Sequence, residues 1–140
     1  MSTWDAWFES VWDGLVTKVK SLTEFGENKV FWGVKYPPTV YPSAFVQPTT
    51  ATSVPRTMRE SDWLPIFRIY ICVEATDQKT GVLTAWKLAG KIIDQLIADR
   101  TLGGTLHNLE CGPVMDSPDG LGRGVEQHWV SVDVVCKRKL

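Results

Sequence analysis

The chain has 140 residues, 44% hydrophobic and 22% charged, which fits one ordinary globular domain and excludes wholesale disorder. Fifteen basic residues against sixteen acidic ones leave a formal charge of -1, without the basic excess of a free-standing nucleic-acid binder. Cys72, Cys111 and Cys136 lie in apolar runs with no CxxC pair, so they read as small hydrophobes in a reducing compartment, not as a disulfide framework or zinc cluster.

The first predicted element is a helix from Thr3 to Leu22. Trp4, Trp7, Phe8, Val11, Trp12, Leu15, Val16, Val19 and Leu22 recur at spacings of three and four and form its apolar side. Ser2 is the expected N-cap; Asp5, Glu9 and Asp13 come early and Lys18 and Lys20 late, the order a helix dipole favours. A short strand is expected over Lys29–Val34. The run Tyr36-Pro37-Pro38-Thr39-Val40-Tyr41-Pro42 excludes helix and central strand and reads as a rigid turn. Ser43–Gln47 is expected as a brief strand. Residues 49–62 show no sustained period, are rich in Thr, Ser and Pro, and read as an extended loop or arm.

Ile66–Glu74 alternates strictly. Phe67, Ile69, Ile71 and Val73 point one way; Ile66, Arg68, Tyr70 and Cys72 point the other. After a turn at Asp77–Gly81, a second helix is expected over Val82–Asp99. Its predicted stripe is Val82, Ala85, Trp86, Ala89, Ile92, Ile93, Leu96 and Ile97, with Gly90 at the border as a site of close packing and Gly103 as the left-handed cap. Thr105–Cys111 reads as a strand, residues 112–124 as a Gly/Pro-rich loop, and Glu126–Cys136 as a strand with Val130, Val132, Val134 and Cys136 on one face. Lys137-Arg138-Lys139 reads as a short basic tail. The pattern predicts a single α+β domain: one mixed, mainly antiparallel sheet of four to five strands with two amphipathic helices on one face.

Chemistry-bearing patterns are sparse. His107 and His128 belong to no metal-binding spacing, and His107 and Glu110 would point to opposite faces of a strand. Cys111 near His107 lacks an orienting group, and no Gly-x-Ser-x-Gly occurs. Gly120-Leu121-Gly122-Arg123-Gly124 opens a strand instead of a helix, which argues against a phosphate cradle. Asp116 and Asp119 read as turn residues. No catalytic, cofactor-binding or metal residue is therefore expected. No apolar run reaches the ~20 residues that span a bilayer, and Met1–Trp12 lacks signal-peptide character, so a cytoplasmic chain without a membrane partner is expected. Seven tryptophans favour a protein that works by contact.

Several segments carry a family resemblance. An amphipathic first helix is followed by Phe31-Trp32-Gly33 leading to Tyr41-Pro42-Ser43-Ala44-Phe45-Val46-Gln47-Pro48. A long arm then precedes Phe67-Arg68-Ile69-Tyr70-Ile71-Cys72-Val73, and a helix ends in Asp99-Arg100-Thr101-Leu102-Gly103-Gly104 before two strands. This layout resembles the tail terminator and tail-completion (head–tail joining) proteins of long-tailed phages. The resemblance implies a virion protein, assembled in the host cytoplasm, that forms a closed ring, commonly a hexamer. Such a ring sits at the head-proximal end of the tail tube and ends tube polymerisation. Its implied partners are copies of itself, the tail tube protein, a neck or head-completion protein, and DNA passing through the lumen without sequence readout. On this resemblance Arg56, Arg59, Glu60, Trp63 and Arg123 are expected at subunit or partner interfaces, and Lys137, Arg138 and Lys139 on luminal or axial surfaces. Alternatives are a neck connector or tube subunit of the same machine, or, in a different class, a small-molecule-binding domain whose pocket is lined by Trp63, Tyr70, Trp86 and Trp129.

Overall fold

The computed structural model describes residues 3–34, 38–55, 61–116 and 127–138. In chain order these form α1 (Thr3–Lys20), β1 (Val30–Trp32), β2 (Ser43–Pro55), β3 (Ser61–Glu74), α2 (Gln78–Ile97), β4 (Leu106–Asp116) and β5 (Gln127–Arg138). The strands make one five-stranded sheet in the order β1-β2-β3-β5-β4. Among the described residues, β1 and β2 are parallel and the other strand pairs are antiparallel. The architecture is thus the expected α+β one, with a mixed and mainly antiparallel sheet.

The alternation in β3 and β5 determines where the helices lie. Phe67, Ile69 and Ile71 are fully buried in the main core with Val130, Val132, Val134 and Cys136. Both helices cover that face: α1 packs over β1 and β2, and α2 over β3, β5 and β4. α1 supplies Val11, Leu15, Val16 and Val19, and Phe8 stacks on Phe67 at 5.3 Å between ring centroids. Each such apolar side chain contributes about 1.5–3 kcal/mol when buried.

Three expectations need correction. Residues 49–62 are mostly paired strand. β2 runs on to Pro55 and β3 begins at Ser61, with Thr50↔Ile66 through Pro55↔Ser61 in register. Backbone pairing holds this stretch, so its polar side chains carry no period to read. Second, β4 continues through Gly112 and Pro113 to Asp116, with an irregularity between Cys111 and Val114 that accommodates the proline. Residues 117–126 lie outside the described residues, as does Ser2. Third, the stripe of α2 is rotated from the one expected. Its buried residues are Gly81, Ala85, Leu88, Ala89, Ile92 and Leu96, whereas Trp86 and Ile97 are exposed. Asp77, expected in a turn, caps this helix: its carboxylate accepts from the Thr80 N–H at 2.9 Å. Beyond the helix, Gly103 takes the expected left-handed conformation (φ 69°) and donates its N–H to Asp99.

The close helix–sheet approach is at Gly81, not Gly90. A Cβ on Gly81 would lie 2.1 Å from His128 Cδ2, and that ring is held by a 3.0 Å contact from Nε2 to the Ala75 carbonyl oxygen. A Cβ on Gly90 meets nothing within 4 Å. Gly90→Ala is therefore expected to stabilise the fold by about 1 kcal/mol through helix propensity. Gly81→Ala gains the same propensity but overpacks His128 at a cost of about 1–3 kcal/mol, so it should lower stability. Thermal melting of the two variants checks this; a Gly81→Ala protein as stable as the Gly90→Ala protein would contradict the packing.

Candidate functional site

Beyond Ile66 the β2–β3 pair leaves the sheet. β5 pairs with β3 only from Ile66 to Glu74, so the strands facing each other from Thr50 to Pro55 and Ser61 to Ile66 form a two-stranded ribbon. An isolated two-stranded ribbon is marginal in water, and such an element gains most when another surface covers it. Arg56, Arg59 and Glu60 lie outside the described residues. Trp63 is in the ribbon, its backbone opposite Ser53. Arg123 and Lys139 also lie outside the described residues. Lys137 and Arg138 are the last residues of β5 and not a loose tail; Lys137 Nζ sits 2.7 Å from Glu110 Oε1.

The sheet face opposite the helices has two halves. Near β1, Phe45, Cys72 and Trp129 are buried beneath Phe31, Val34, Tyr41 and Tyr70, with Phe45 stacked between Phe31 and Trp129. The other half is polar. Arg68 Nε donates to Asp133 Oδ1 at 2.7 Å, and Nη2 donates to Oδ2 at 3.3 Å. Asp133, then Tyr70, holds the Arg68 pKa above its ordinary value. Lys137 likewise holds the Glu110 carboxyl below the usual range. The charges on this half thus neutralise one another.

The elements expected to form a small-molecule pocket do not converge. Trp129 and Tyr70 belong to the face away from the helices, while Trp86 stands exposed on α2. A concavity of about 330 Å³ does lie between the helices, lined by Gly14, Thr17, Lys18, Ser21, Gln95, Asp99, Leu102 and Gly103. Its polar groups bond to each other: Lys18 Nζ to Asp99 at 3.1 Å, and Gln95 Nε2 to Ser21 Oγ at 2.6 Å. The Gly103 N–H and then Lys18 hold Asp99 below the usual carboxylate range, so this acid braces the helix ends.

Nucleophilic groups are equally committed to structure. Burial pushes the Cys72 thiol up to about 12 and the Cys136 thiol up to about 12, and it raises Cys111 as well. His107 is exposed at an irregularity of the edge strand β4. Among the described residues, no group of three or more His, Cys, Asp or Glu side chains is placed to hold a metal ion. No described helix is long and apolar enough to cross a membrane.

What the sequence reading missed is the exposed apolar set. Trp32 on β1 is 50% exposed; Leu83, Trp86 and Ile97 on α2 and Met115 on β4 are exposed as well. A signal existed: α2 also carries Leu83 and Leu88 beyond the expected stripe, an apolar arc too wide for one sheet face to cover.

The chain matches no protein-family model and no curated protein sequence. Its fold is similar to a chain in the solved structure "Virion of native gene transfer agent (GTA) particle", with TM-score 0.63 and 10% identity over 94% of this chain and 96% of that one. A second solved chain is 17% identical, with TM-score 0.49 over 100% of this chain and 99% of that one.

The thiols provide a check on the burial. An unfolded thiol ionises near ~8.5, and the folded Cys72 and Cys136 only near 12. Their raised values favour the folded state fully below about pH 8.5, and this contribution is lost as pH climbs toward 12. Iodoacetamide at about pH 8 should leave both cysteines unmodified in the native chain and alkylate both after unfolding, read by peptide mass spectrometry. Rapid native labelling of either would contradict the site description.

Proposed function

We propose that this chain is a structural virion protein that forms a closed ring at the head-proximal end of a phage tail tube, ending tube polymerisation and joining tail to head or neck. The observation that carries the reading is the near full-length likeness to a chain of a gene transfer agent virion. The projecting ribbon and the lack of a convergent polar site among the described residues agree with it. A protein that works by contact needs surfaces, and here the surfaces are what the fold leaves unfinished.

In this reading the ribbon reaches a neighbouring subunit or the tail tube, with Arg56, Arg59, Glu60 and Trp63 as its contacts. Arg123 would contact a subunit or another partner. Lys137, Arg138 and Lys139 lie on luminal or axial surfaces. Charges paired as Arg68–Asp133 and Lys137–Glu110 suit a wall along which DNA slides, because they offer little net attraction to phosphate. Ring closure follows from head-to-tail contacts that close after a fixed rotation. A neck connector would use the same surfaces; a tube subunit would stack into open filaments.

Absolute mass by light scattering tests the reading. A ring of six 15.7 kDa subunits has a mass of about 94 kDa. Reversing charge at both Arg56 and Arg59 should weaken assembly by ~10-fold or more. Long tubes from the wild-type chain would point to a tube subunit, and unchanged assembly of the double variant would remove the arginines from the contact.

A further inference from the structure

The helix layer has two outer flanks, and they are unlike. Lys91 pairs with Glu24 and Gln95 with Ser21, so those positions of α2 face the C-terminal end of α1. Val82, Trp86, Ile93 and Ile97 lie on the other side of the buried stripe, away from α1 and toward the β4 edge. Trp86 and Ile97 are exposed there, with Leu83 beside them and Gly90 leaving open space between. Lys79 and Lys87 border this patch, with Asp94 next to them.

The outer flank of α1 is its counterpart. Lys18 and Ser21 face α2, so Asp5, Glu9 and Asp13, four residues apart, run along the opposite side toward the β1 edge. There Trp32 lies against the helix: its Nε1 donates to Asp13 Oδ1 at 2.8 Å, and Lys20 Nζ sits 4.6 Å from the ring centroid. This flank presents one broad exposed aromatic beside a row of acids.

We infer that the α2 flank of one copy docks on the α1/β1 flank of the next copy, Trp86 and its apolar neighbours against Trp32, and Lys79 and Lys87 against Asp5, Glu9 and Asp13. The inference rests on the ring reading and names its lateral contact. Two observations select the occupant. Exposed tryptophans stand on opposite flanks of one layer, and Trp is the residue most enriched where contacts carry binding energy. The net charges of the flanks are opposite in sign, Lys79 and Lys87 outweighing Asp94 on one and Asp5, Glu9 and Asp13 outweighing Lys20 on the other, so unlike flanks attract while a two-fold pairing of like flanks would repel. A heterologous contact of this kind propagates around a ring.

The test mixes two variants. Trp86→Glu spoils the α2 flank; Trp32→Arg spoils the other while keeping a donor for Asp13. Leu83→Glu is the second α2 variant, and circular dichroism confirms that each is folded. Each variant alone should lose at least ~30-fold in self-association and remain a monomer by sedimentation where the wild type assembles. An equimolar mixture of Trp86→Glu and Trp32→Arg should form a heterodimer and nothing larger, because each copy retains one intact flank. Loss with the α2 variants only would indicate a two-fold contact and overturn the inference. So would variants that assemble normally, which would leave the ring reading standing on other surfaces, or a wild-type chain still monomeric at ~1 mM. Open wild-type filaments combined with a mixed heterodimer would keep the contact and overturn the ring.

Discussion

The strict alternation of β3 against β5 is the constraint on which the rest of the structure depends. With Ile69 opposite Val132, Phe67 opposite Val134 and Ile71 opposite Val130, one face of the central pair is wholly apolar and must be covered. A one-residue slip would turn those side chains outward, so register and helix placement are determined together. Two helices then suffice for one face. The other face, the two sheet edges and the ribbon are left to be satisfied by short-range packing, by paired charges or by another molecule.

That asymmetry also explains what could be read before the fold was known. Strands with one buried face announce themselves through period two, as do Phe67–Val73 and Val130–Cys136. α1 announces itself through its spacing of three and four. The ribbon does not: Thr50-Ala51-Thr52-Ser53 is held by cross-strand pairing and has no apolar face to show a period. The phase of α2 is not legible in the sequence, because its apolar arc is wider than the sheet can cover and Trp86 and Ile97 look like core. The same excess width is the mark of the proposed contact. The charges of Lys79 and Lys87, or of Asp5, Glu9 and Asp13, gain meaning only when the fold sets them on opposite flanks.

The geometry gives the chain two unlike flanks and two unlike ends. The strands run between the ribbon end, where β5 finishes, and the end where Gln127 pairs with Glu74. Flanks that attract each other build sideways; ends that differ distinguish up from down. A ring with a defined polarity needs both, and neither requires a bound cofactor or a catalytic group. Gly81 against His128 seats α2 closely on the sheet, and the Arg68–Asp133 pair ties β3 to β5 on the opposite face, so the proposed lateral contact would repeat at a constant angle.

Negative-stain electron microscopy of the purified wild-type chain tests this account most directly. It predicts closed rings of one subunit number with a central hole. Open filaments, or two-fold dimers without a hole, would contradict it.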